Sequence, residues 1–172
     1  MEASELEWTF SPHMLETAHY YYEAAKILYP HGNLGQVAVI NAALALAIEI
    51  VFKSFNSSVS ANEGKLNEKY DFQRNKLSNR RDAHNLIELY ELLPKEIKCK
   101  FHDKFTLDML EKYKNVFTAD RYFYEKTARS SYSGTLIEIA GKLIHISALI
   151  YKEKGCTDIW VQNYPNVSSI RT

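Results

Sequence analysis

The sequence predicts an all-α protein, an antiparallel bundle of about five helices in a single domain spanning 1–172. Three observations carry that prediction. Apolar residues recur at steps of three or four in several segments, the period of a helix with one buried face. One stretch, NAALALAIEIVFKSF at 41–55, is apolar nearly all round, as the central helix of a bundle must be. No series of short alternating segments marks a sheet.

The elements follow in order. Ser11-Pro12 starts the first helix, with Ser at the cap and Pro at the first helical position, where no amide donor is needed. Leu15, Ala18, Tyr22, Ala25 and Tyr29 give it one apolar face, and Pro30-His31-Gly32-Asn33 stops it. A second helix runs over Gly35–Phe55, where Ala42, Ala43, Ala45 and Ala47 let neighbouring helices approach closely. Residues 56–79 show no sustained apolar period and read as a long polar loop. Structure resumes near Arg81, and Leu86, Leu89, Tyr90 and Leu93 fit a short amphipathic helix. Pro94 opens another, with Ile97, Phe101, Phe105, Met109, Tyr113 and Phe117 at four-residue steps. Such a stripe drifts around a straight helix, so a break is expected near Phe105-Thr106. The last long helix carries Leu136, Ile137, Ala140, Leu143, Ile144 and Ile150, with Ser131 or Ser133 as its cap. Lys152 and Lys154 complement its dipole and Gly155 closes it. Residues 155–172 form an extension with strand-like residues at Ile159-Trp160-Val161, read as a docked tail or an interface arm.

Composition excludes several function classes. With 46% hydrophobic and 24% charged residues, a chain of 172 residues can bury its own core. Lys+Arg and Asp+Glu are both 21, so binding to nucleic acid or to an anionic membrane requires a local patch. Val37–Ile48 is uncharged but too short for a membrane span of about 20 residues, which points to a buried helix. The acidic start MEASELEWTF has no signal-peptide pattern. Cys99 and Cys156 are isolated, the usage of a reduced, cytoplasmic protein, although one disulfide remains chemically possible.

No metal or cofactor is expected. His13 and His19 are six apart and diverge, no HExxH pattern occurs, and the six glycines make no phosphate loop. Asn41, Ala45, Glu49 and Lys53 are successive i+4 positions on the central helix. They read either as a solvent- or interface-facing stripe with a Glu–Lys pair, or as a polar seam facing a subunit or cleft. Pairs of this kind are common on exposed stripes, which favours the first. Arg74, Lys76, Arg80 and Arg81 read as a solvated loop edge beside Asp71 and Asp82, with phosphate contact as the functional alternative. His84 reads as an orienting residue in the first turn of its helix, with acid–base work as the alternative. The block Asp120–Lys126, DRYFYEK, offers Arg121 and Glu125 as an i, i+4 pair framed by Tyr122 and Tyr124. Its guanidinium and phenols suit phosphate or carboxylate recognition.

A central helix of the form NAALALAIEIVFKSF, a polar loop and then AHNLIELYELLP resemble the HEPN domains (higher eukaryotes and prokaryotes nucleotide-binding) over roughly residues 11–152. The resemblance implies a small helical bundle, a homodimer, and a place in bacterial toxin–antitoxin, stress or phage-defence systems. An antitoxin or nucleotidyltransferase partner and an RNA or nucleotide ligand come with it. Many HEPN domains are metal-independent ribonucleases whose Arg is followed four to six residues later by His. Here that motif is missing. Arg121 has no following His in reach, Arg80 and Arg81 lie too close to His84, and Arg74 lies too far. The expectation is therefore a non-catalytic or degenerate HEPN-like binding protein, with Arg121, Tyr124 and Glu125 as leading site residues. Glu49, Lys53 and His84 come second. The alternatives are a ribonuclease toxin that uses His84 or His145 with Arg121, and a plain structural scaffold.

Overall fold

In a computed structural model, residues 8–31, 33–65, 67–77, 82–116, 126 and 134–167 are described. They hold seven α-helices and one two-stranded hairpin: α1 Pro12–Leu28, α2 Leu34–Ser54, β1 Ser57–Ala61, β2 Lys69–Phe72, α3 Leu86–Glu91, α4 Lys95–Phe101, α5 Lys104–Lys112, α6 Thr135–Glu153 and α7 Ile159–Asn163. The mostly-α bundle is as expected. Two helices are added to the expected five, because His102-Asp103 splits the segment after Pro94 and Ile159–Asn163 of the tail is helical.

Helix α2 is the axis. Asn33 and Gln36 start it with a reciprocal capping box, each side chain accepting the other's backbone N–H at 3.1 and 2.9 Å. Gln36–Ser54 is apolar and long enough to cross a membrane by length and composition, yet 61% of that stretch is buried inside the protein. Leu44, Ala47, Ile48, Val51 and Phe52 meet Leu15 and Ala18 of α1 and Leu136, Ala140, Leu143 and Ile144 of α6 in one continuous core. Burying these side chains together removes apolar surface from water, which stabilises the fold by about 25 cal/mol per Å². Helices α3, α4 and α5 close one side with Leu86, Leu89, Ile97, Phe101 and Leu110.

Helix ends follow their local chemistry. Pro12 is the first residue of α1, but the Ser11 hydroxyl does not cap it; the Ser11 N–H instead donates to the buried Tyr151 hydroxyl at 3.2 Å. The break between α4 and α5 falls at His102-Asp103, not Phe105-Thr106, because Asp103 caps α5 by accepting the Thr106 N–H at 2.9 Å. Gly134 occupies the N-cap position of α6, while Ser131 and Ser133 lie outside the described residues. Gly155, at φ +87°, ends α6: its N–H reaches Lys152 O and the Cys156 N–H reaches Tyr151 O, a Schellman closure.

Two expectations are corrected. The stretch read as a long polar loop contains the antiparallel hairpin β1–β2, pairing Ser57 with Phe72 and Val59 with Tyr70. Its tip turns through Asn62 and Gly64, both at positive φ. The Ile159-Trp160-Val161 stretch is helical rather than extended. Asp158 caps α7, and Trp160 and Val161 are buried in the core, so this part of the tail is docked. Both cysteines are free thiols, Cys99 exposed and Cys156 buried.

Candidate functional site

Glu49 lies near the C-terminal end of α2 with its side chain only 5% exposed. A carboxylate this deep needs partners, since an unpaired buried charge costs several kcal/mol. It has two. The Lys53 ammonium donates to Glu49 Oε1 at 2.6 Å, and His84 Nδ1 lies 3.0 Å from Oε2 and 3.2 Å from Oε1. The Lys53 pairing is the favourable i, i+4 order on a helix. The same ammonium sits over the Phe72 ring at 5.2 Å, so the hairpin supplies one wall of the site.

The α2 stripe is therefore not solvent-facing. Asn41 is 1% exposed, Ala45 0% and Glu49 3%. Glu49 is satisfied, whereas both amide atoms of Asn41 are buried without a hydrogen-bond partner.

His84 comes from a rigid turn. Its N–H donates to Asp82 Oδ1 at 2.9 Å, and the Asn85 N–H bonds Asp82 O. Asn85, not His84, caps α3, accepting the Ile87 and Glu88 N–H groups, and the Leu86 N–H is tied to Lys114 O. His84 thus precedes the helix and spends its ring on Glu49, which corrects the reading of it as a first-turn residue. Its side chain is 43% exposed against 5% for Glu49, so the pair runs from the core to the surface. The arrangement unites a fixed cation, a buried anchor and an imidazole at the protein–water boundary.

A separate cleft of about 710 Å³ opens between the hairpin, the start of α1 and the α6–α7 turn. Two of its three acidic residues, Asp158 and Glu68 but not the exposed Glu63, are engaged within the protein. Asp158 caps α7, and Glu68 accepts bonds from the Tyr70 hydroxyl and the Gly64 N–H. Burial raises the Tyr70 hydroxyl above its ordinary value and the bond to Glu68 raises it further. Burial also pushes the Cys156 thiol up, the wrong direction for a nucleophile.

Of the residues singled out in the sequence, Glu49, Lys53 and His84 converge. Arg121, Tyr124 and Glu125 lie outside the described residues, as do Arg80 and Arg81. Lys76 is drawn to Asn56 Oδ1 at 2.9 Å, which makes it a tether of the loop after β2. His145 rests against Tyr164 at 5.8 Å, and His13 lies 3.8 Å from Asp158, so neither joins Glu49. His19 is packed among Tyr22, Trp160 and Tyr164, and burial lowers its pKa. Among the described residues no three His, Cys, Asp or Glu side chains gather as metal ligands. Sequence reasoning missed Phe72. The period-2 spacing of Tyr70 and Phe72, opposite Ser57 and Val59 across a turn with Asn62 and Gly64, was its signal.

No family model matches the chain, and neither does any curated protein or solved structure.

Proposed function

We propose that the chain is a HEPN-like helical protein that dimerises and binds a phosphate-bearing ligand, RNA or a nucleotide, at the Glu49–Lys53–His84 end of its bundle. The observation that carries this is one buried carboxylate, Glu49, holding a lysine and a histidine together near the surface. Such a cluster suits phosphate because Lys is a point charge for its oxygens, and an imidazole adds a directed hydrogen bond. Arg121, Tyr124 and Glu125 are proposed to complete the ligand contacts. Exposed Ile27 and Leu28 on α1 and Val39 on α2 offer a second copy an apolar surface. A cytoplasmic bacterial stress or defence system, with an antitoxin or nucleotidyltransferase partner, is the setting this reading implies.

A second reading, a metal-independent endoribonuclease, is favoured by one feature: an imidazole backed by a carboxylate is the arrangement of an oriented acid–base group. One experiment sorts these. Labelled RNA and ATP are titrated into the protein in EDTA, with anisotropy for binding, gels for cleavage and light scattering for mass. Binding without cleavage, weakened in Lys53→Met and Arg121→Ala, is the expected result. Cleavage that disappears in His84→Gln establishes the ribonuclease instead. A monomer indifferent to both ligands leaves only the scaffold.

A further inference from the structure

We infer that Glu49 is the positioning residue for His84, holding its neutral imidazole in the Nδ1–H tautomer so that Nε2 is the acceptor. An ionised carboxylate only accepts hydrogen bonds. Glu49 already accepts from the Lys53 ammonium at 2.6 Å, the contact of a carboxylate, and its two oxygens lie 3.0 and 3.2 Å from the same ring nitrogen. Nδ1 must therefore carry the hydrogen. An imidazole in water favours the opposite tautomer, with the hydrogen on Nε2. The protein reverses that preference by fixing both ends of the contact. Glu49 is held by its depth in α2, and His84 by the Asp82 turn and the Asn85 cap of α3.

The consequence is chemical. In this tautomer Nε2 carries a lone pair rather than an N–H, so any group that meets it, from the protein or from a ligand, is itself a donor, such as a hydroxyl. Phosphate charge is left to Lys53. Only this assignment of ligand groups rests on the function proposed above; the tautomer stands on the geometry alone.

The test is a long-range proton–nitrogen correlation spectrum of histidine-labelled protein at about pH 8.5, where an ordinary imidazole is neutral. The His84 signals are assigned by their loss in His84→Gln. The expected pattern is an N–H-type Nδ1 and a lone-pair-type Nε2. In Glu49→Ala the two nitrogens exchange character, while in Lys53→Met they do not. A wild-type spectrum with the hydrogen on Nε2 overturns the inference, and it needs no variant to fold. So does a Glu49→Ala protein, folded by circular dichroism, in which the Nδ1–H pattern persists. Failure of the ligand reading looks different: the Nδ1–H pattern is present, yet no RNA or ATP alters it.

Discussion

Glu49→Ala should be the most damaging substitution of a charged residue in the described part of the chain, although beyond the carboxylate it removes only one buried methylene. The Glu49 side chain is 5% exposed and anchors two partners, Lys53 at 16% exposure and His84 at 43%. Removing one member of a buried ion pair typically costs about 3–5 kcal/mol, because the survivor's charge is stranded. Lys53 and His84 both keep some access to water, which relieves part of that penalty. The expected loss is about 2–3 kcal/mol. In a chain of this size each kcal/mol moves the melting midpoint by about 2–4 °C, so the drop should be about 4–12 °C. Urea unfolding followed by circular dichroism measures it, with an unchanged m-value showing that stability alone has altered. Glu153→Ala is the control. It breaks an ion pair to Lys100 in which both side chains are more than half exposed, and should cost less than about 1 kcal/mol. Equal losses for the two variants would refute Glu49 as a buried anchor.

Two further predictions concern groups away from the site. Asn41→Leu replaces a carboxamide whose buried amide atoms have no partner with an apolar group of similar size. It should be neutral or stabilising by about 1–2 kcal/mol in urea titrations, and a loss of more than about 1 kcal/mol would show that the amide has a structural role. The stability of the wild type should fall on acidification in two stages. Burial lowers the His19 pKa, so between that value and about 6.5 the unfolded chain binds more protons, and stability drops as pH falls through this window. Bonds from Lys154 to Glu96 and from Lys142 to Asp103 hold both carboxyls below their ordinary range. Their contributions are complete above about pH 4.5 and are lost as pH falls through the depressed values. Denaturant titrations at stepped pH should show His19→Phe flattening the upper stage and Lys154→Met the lower one. Unchanged slopes would contradict these assignments.

The helices were legible because their signals are local and strong. Pro12 at an N-terminus and the four alanines of the central helix mark α1 and α2 without tertiary information, although the Asn33 cap of α2 was read only as the stop of α1. The hairpin left only the weak period-2 signal of Tyr70 and Phe72, because β1 is mostly serine and alanine. Its inward residues are satisfied by backbone bonds, such as the Thr9 hydroxyl donating to Ser57 O at 2.9 Å, rather than by apolar packing that a pattern reveals. Trp160 shows a related gap. The Ile-Trp-Val run has strand propensity, but the Asp158 cap and a buried slot against the core make it helical, a tertiary override of local preference. The site was legible as residues and not as geometry. The sequence placed Glu49 and Lys53 one turn apart, but their exposure depends on what covers α2, and the approach of His84 depends on a contact spanning 35 residues.

The claim that this cluster meets phosphate is tested most directly by salt-dependent RNA binding. The affinity of wild type and Lys53→Met for a labelled single strand is measured in EDTA across a range of salt concentrations. The slope of log affinity against log salt should shrink by about 0.7 in the variant, the loss of one single-strand phosphate contact. Identical slopes and affinities in two equally folded proteins would place the ligand elsewhere and contradict the account.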